Sequence, residues 1–314
     1  MRKENSRSLP SALLAESYNL FSDGRFKEAQ GLLEEAHSQD FDNQEIQSAL
    51  RAAGFWLQRL EFLDTVEGLG FKGDYLLKQW NHYFRNYRNN FRHSLENGSL
   101  KIKRWVYNSA LDFYRKQAAE TSDPFFLFKA SRCYKALGRY EDSKKILETA
   151  FSWSGKNIPS PFLAELADIY ALMGESEPAK ILMREALYID ASAVDTDNIE
   201  APVFKKLFNK VASVIDREDP LFNDWVAVYG TVWEVFDVKR ELTPAEYGKL
   251  KQDIYSLKSE LRENSSSANL PKLINHYLWL IDYYKAAGAG RSAIDEALIN
   301  IKLLSPDIYK HFME

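Results

Sequence analysis

The chain has 314 residues, 45% of them hydrophobic and 14% aromatic, and a formal net charge of −4 at pH 7. That length and apolar content allow a sizeable buried core and exclude wholesale disorder. The acidic balance argues against a generic polyanion binder, though it leaves room for a local basic patch. A lone cysteine, Cys133, excludes an intramolecular disulfide and a cysteine zinc cluster, and its place inside a helical pattern points to a buried thiol.

Met1 to Pro10 is polar and lacks the apolar run of a secretory leader. No window approaches the ~18 uninterrupted apolar residues of a membrane span, so a soluble, cytoplasmic protein is expected. From Pro10 onward Leu13, Leu14, Ser17, Leu20 and Phe21 recur at helical spacing. Gly24 then ends that helix, as the left-handed turn position prefers. Phe26, Ala29, Leu32, Leu33 and Ala36 form the matching face of a second helix.

Residues 42–122 predict three helices: Gln44–Val66, Tyr75–His93 after a glycine-rich turn, and Leu100–Ala119. Within the second of these, Leu76, Trp80, Tyr83, Phe84, Tyr87 and Phe91 form an aromatic stripe read as core. Lys78, Arg85, Arg88 and Arg92 run along its flank. Between Lys72 and Arg104 eight basic residues face two acidic ones, a local excess of +6. Such a flank suits an acidic partner segment or a nucleic-acid backbone, or stands as a solvated face. The run Gly68-Leu69-Gly70-Phe71-Lys72-Gly73 matches a dinucleotide fingerprint by letter. It follows a helical pattern rather than a strand, so it reads as a flexible helix connection.

The helix–glycine–helix pattern returns at Tyr134–Ser143 around Gly138, at Tyr170–Ala179 around Gly174 and more loosely at Tyr284–Ala293 around Gly288. Gly138 and Gly174 are 36 residues apart, near the ~34 of short helical repeats. Gly24 to Gly138 and Gly174 to Gly288 are each 114 residues, so two degenerate units are expected in each interval. The later interval predicts helices over 201–215, 220–238 and 244–262, with Asp219 before Pro220 and a capping box at Thr243-Pro244-Ala245-Glu246. A strand pair is the alternative over 225–238, but Trp225, Tyr229, Val232 and Phe236 share a helical face. Residues 265–269, 156–161 and 190–198 read as loops.

The joint pattern resembles the tetratricopeptide repeat family. Its small, aromatic, glycine, aromatic, small, large and small positions become Ser131, Tyr134, Gly138, Tyr140, Ser143, Leu147 and Ala150 in one copy. In the next they become Ala167, Tyr170, Gly174, Ser176, Ala179, Met183 and Ala186. In the last they become Ile281, Tyr284, Gly288, Gly290, Ala293, Ala297 and Asn300. The resemblance implies an all-α fold, a right-handed superhelical α-solenoid of such helix pairs, some degenerate. Its segments are 1–43, a first repeat; 44–122, a degenerate segment with the basic aromatic helix; 123–190, two repeats; 191–269, a second degenerate segment; and 270–314, a final helix pair.

The resemblance further implies a non-catalytic scaffold or adaptor that binds a partner protein or peptide, with no cofactor. Proteins that resemble this one often serve as scaffolds in secretion, motility or envelope assemblies of bacteria. The family's carboxylate clamp, a lysine and asparagine pair on the first helix, is replaced here by Leu14 and Tyr18, Phe128 and Arg132, and Ala164 and Asp168. Phe128, Lys129, Arg132 and Lys135 give the second groove a basic character suited to an acidic peptide. With Lys78, Arg85, Arg88 and Arg92 they are the candidate contact residues. Two other readings stay open: a regulator that touches nucleic acid through residues 75–92, and an enzyme whose site is assembled between helices. The five histidines lack the spacing of a helical zinc motif, and no nucleophile elbow is present.

Overall fold

The computed structural model describes residues 2–90, 96–155, 157–263 and 269–313, with side chains described from residue 9 onward except at 87–90. Among the described residues there are fifteen α-helices and no strand. They are α1 (Arg2–Ser22), α2 (Phe26–Gln39), α3 (Gln44–Thr65), α4 (Leu69–Asn90), α5 (Glu96–Thr121), α6 (Pro124–Ala136), α7 (Tyr140–Ser154) and α8 (Ser160–Leu172). They continue with α9 (Ser176–Asp190), α10 (Pro202–Val211), α11 (Phe222–Val232), α12 (Pro244–Glu263), α13 (Leu270–Ala286), α14 (Arg291–Leu304) and α15 (Pro306–Met313). The chain divides into two compact units, Met1–Trp153 and Ser154–Glu314.

All four glycine hinges close in one way. Gly24, Gly138, Gly174 and Gly288 have φ of 74°, 73°, 85° and 63°, the left-handed region that costs an L side chain about 1–2 kcal/mol. At each, the glycine N–H and the next N–H bond back into the last helical turn. At the first hinge Gly24 donates to the Phe21 carbonyl at 3.2 Å and Arg25 to that of Leu20 at 3.0 Å. At the second, Gly138 donates to Lys135 at 2.8 Å and Arg139 to Tyr134 at 2.9 Å. This is the Schellman closure, which satisfies carbonyls that the helix end leaves open.

In the first unit, α1 packs on α2, α2 on α3, α4 on α5, and α5 on α6. The core is aromatic. Phe26 stacks on Trp56 at 6.1 Å and meets the edge of Trp105 at 4.9 Å, and Trp56 meets Tyr83 at 5.7 Å. The fully buried side chains here, Trp56, Tyr83, Phe21 and Phe26 among them, each contribute roughly 1.5–3 kcal/mol. α6 and α7 approach closely enough for the Ser143 hydroxyl to donate to the Ser131 carbonyl at 2.6 Å. That needs small residues at both crossing positions. Cys133 is buried beside them.

The intervals between hinges depart from the expectation of two degenerate units each. Each holds three helices, α3–α5 and α10–α12, and an odd number cannot form two pairs. α3, α4 and α5 run 22, 22 and 26 residues against 13–15 for α6 to α9. α5 also folds back onto α1. The glycine run before α4 is no flexible connection. Only Gly68 has positive φ, and α4 already begins at Leu69. Gly70 and Gly73 sit inside the helix because a Cβ there would lie 2.4 Å from Phe126 and 2.6 Å from Tyr114.

In the second unit, α8 pairs with α9, and α13 packs against α11, α12 and α14. Residues 190–198 are not a loose loop. They form two 3-10 turns, with Ala191 and Val194 buried and their carbonyls taking the Asn223 amide at 3.0 and 2.8 Å. Buried Asp168 accepts the Glu200 and Ala201 N–H groups at 2.9 and 2.7 Å, so a carboxylate from α8 holds the segment that leads into α10. The Thr243–Glu246 box forms as expected, with Glu246 N–H donating to Thr243 Oγ1 at 3.3 Å and Thr243 N–H to Glu246 Oε2 at 2.7 Å. Arg240 grips the same carboxylate and holds it ionised down to a pKa of about 2. The 225–238 segment is helical only to Val232; Phe236 lies past its end, with its N–H on the Gly230 carbonyl at 2.9 Å. Of the expected loop 265–269, residues 265–268 lie outside the described residues.

Candidate partner-binding surface

The four candidates on α6 have different fates. α6 starts at Asp123, whose carboxylate accepts the Phe125 N–H at 2.9 Å, with Pro124 at the first helical position. Phe128 is buried, its ring capped by the Arg132 guanidinium 4.6 Å from the centroid. Arg132 itself is half-buried. Lys129 bridges to α4, with Nζ 2.8 Å from both Asp74 oxygens and 5.6 Å from the Tyr114 and Phe126 rings. The Tyr114 hydroxyl donates to the same Asp74 at 2.7 Å, and its burial beside that carboxylate drives the phenol pKa upward. Lys129 thus ties α6 to α4. Lys135 is 3% exposed and presents no open charge.

On α4 the expected stripe is only partly core. Leu76, Trp80 and Tyr83 are buried, but Phe84 is 44% exposed, which corrects its assignment to the core. It lies one position beyond Tyr83 around the helix and stacks on the outer side of Trp80 at 5.8 Å. Tyr87 and Arg88 belong to α4, but their side chains are outside the described set, and Phe91 and Arg92 lie outside the described residues. Lys78 and Arg85 are both exposed, and with Asn81 and His82 they line a shallow depression.

Sequence reasoning passed over a second basic feature. A groove of about 420 Å³ runs between the N-terminal half of α5 and the C-terminal turn of α6. It is lined by Leu100, Lys103, Arg104, Asn108, Ala136, Leu137 and Arg139. The available signal was the Lys101–Arg104 run, already counted in the local charge excess. What was missing is the closeness of residues 100–108 to Arg139, which the α5–α6 packing creates.

Among the described residues, no group of three or more His, Cys, Asp and Glu side chains is placed to hold a metal ion. No described helix is long and apolar enough to cross a membrane.

Comparison with curated proteins and with solved structures returns no match. The tetratricopeptide repeat model matches residues 126–157 and 160–192, the α6–α7 and α8–α9 pairs whose hinges are Gly138 and Gly174. Residues 126–157 and 160–192 are therefore two tetratricopeptide-type repeats, set in a chain whose described residues form helices and no strand.

Proposed function

We propose that this protein is a non-catalytic scaffold that binds a partner protein or peptide through basic, solvent-facing residues of its first unit, and that it does so in the cytoplasm. Tetratricopeptide repeats generally mediate protein–protein interaction, which supports the class of activity. The observation that carries the reading is on α4. Lys78 and Arg85 are exposed one face apart from a packed aromatic core and line one depression with Asn81 and His82. Arg132, half-buried over Phe128, is the contact residue offered by α6. Rigid arginine and aromatic groups of this kind concentrate binding energy in a few side chains.

The test is quantitative affinity capture from the source cell with the wild-type chain and K78E/R85E/R132E, followed by mass spectrometry. The expected result is a defined partner set that falls at least tenfold in the variant while helicity by circular dichroism is unchanged. Equal recovery by both chains refutes the surface. Recovery of nothing above a blank matrix refutes the scaffold reading.

A further inference from the structure

We propose that the α5–α6 groove binds an acidic peptide segment carrying one apolar side chain, supplied by another protein. This rests on the reading that the chain binds a protein partner, but it names a different surface and fixes the chemistry of the ligand. The groove is lined by three cations, Lys103, Arg104 and Arg139, and no carboxylate. Arg104 and Arg139 are exposed, and among the described residues neither Lys103 nor Arg104 has an ion-pair partner.

Arg139 is held in place before any ligand arrives. Its Nε donates to Asp142 at 2.9 Å, and its guanidinium lies 4.6 Å from the centre of the Tyr134 ring. A cation fixed by one carboxylate and one aromatic face loses little side-chain entropy on taking a second carboxylate. Lys103 lies near the Tyr107 ring, at 5.7 Å from its centroid. The Asn108 amide is tied to the Arg104 carbonyl at 2.8 Å, which keeps it from reaching across the groove as a mobile donor.

The apolar part of the lining decides between ligand classes. Leu100 is 60% exposed and sits with Ala136 and Leu137 among the three cations. An isolated exposed leucine is ordinary. A leucine beside two further apolar residues, within a cationic rim, matches a segment that alternates carboxylates with an apolar anchor. A nucleic-acid backbone offers no such anchor, and beyond the groove it meets a chain of net charge −4.

The test uses the full chain and a fluorescein-labelled nonapeptide of aspartate and glutamate with one central leucine, followed by anisotropy at low and physiological salt. Saturable binding is expected, weakened at least tenfold by K103E/R104E and unchanged by K78E/R85E. L100S, or serine in place of the peptide leucine, is expected to weaken it about fivefold. Arg104 is exposed and Lys103 half-buried, and an unchanged thermal melt confirms folding. Equal affinity for K103E/R104E, no saturation at millimolar peptide, or equal competition by a leucine-free acidic peptide or an oligonucleotide overturns the proposal. If partners are captured from cells but this peptide does not bind, the groove proposal alone fails. If the peptide binds as stated and no cellular partner is recovered, the scaffold reading fails instead.

Discussion

Substituting Gly24 by alanine separates the two demands that a repeat hinge places on its glycine. Gly24 and Gly138 have nearly the same backbone, φ 74° and 73°, so the conformational strain of an alanine is shared. That strain is about 1–2 kcal/mol, offset by about 0.4–1 kcal/mol because alanine also restricts the unfolded chain. G138A is therefore expected to cost about 1 kcal/mol, since nothing lies within 4 Å of the new Cβ. At Gly24 the Cβ would stand 2.2 Å from Trp105 Nε1 and 2.8 Å from Cε2. The indole cannot swing away easily, being 9% exposed and boxed by the edges of Phe26 at 4.9 Å and Trp56 at 5.4 Å. Overpacking of this kind adds about 1–3 kcal/mol, bringing G24A to about 2–4 kcal/mol. Since the chain has two compact units, the readout is local: amide hydrogen exchange of peptides from α1, α2 and α5. Exchange there is expected to accelerate roughly thirtyfold or more in G24A, against roughly fivefold around the hinge in G138A. Equal effects at the two hinges would refute the claim that α5 is seated against the first turn.

Asp282 is 8% exposed and accepts from Arg184 at 2.6 Å and Lys239 at 2.5 Å, while Arg184 is 3% exposed. D282A leaves the buried guanidinium uncompensated and is expected to cost about 3–5 kcal/mol in urea denaturation, with R184M/D282L recovering most of it; a loss below about 1 kcal/mol would contradict this. His276 is buried against Tyr188 at 4.9 Å, its Nδ1 is 2.7 Å from the Lys272 carbonyl, and burial pushes its pKa below the ordinary value. Lys272 also lowers that pKa while Asp253 opposes the fall. A lowered folded-state pKa means the unfolded chain takes up the proton first, so this contribution is whole above about pH 6.5 and is lost as pH falls below it. The urea midpoint of the second unit is expected to drop between pH 7 and pH 5, and to drop less in H276Q; identical pH dependence in both proteins would exclude His276 as the source.

How much of this was legible depends on how far apart the interacting residues lie in the chain. The Thr243–Glu246 box spans three residues, and its partners were named from the sequence because one helical turn brings them together. The Lys129–Asp74 bridge spans 55 residues and the bond from the Glu200 N–H to Asp168 spans 32, so neither left any local trace. Lys129 therefore looked like an available groove cation when it is already paired to another helix. Gly70 and Gly73 misled for the same reason. As local signals they break helices, but opposite Phe126 of α6 and Tyr114 of α5 they let both helices come close to α4. Periodicity placed Leu76, Trp80 and Tyr83 in the core and wrongly added Phe84, because a stripe wide enough to include it exceeds the arc that α4 buries.

The amino-acid sequence alone determined the helical class, the four hinges and the two repeats at their centre. Each is fixed by backbone bonds closed within about six residues, which the order of side chains dictates directly. Which cations face solvent, which are spent on carboxylates, and where Lys103, Arg104 and Arg139 converge were decided only when α5 folded back on α1 and lay against α6. Helix packing, unlike helix formation, is chosen by surfaces that meet from distant parts of the chain.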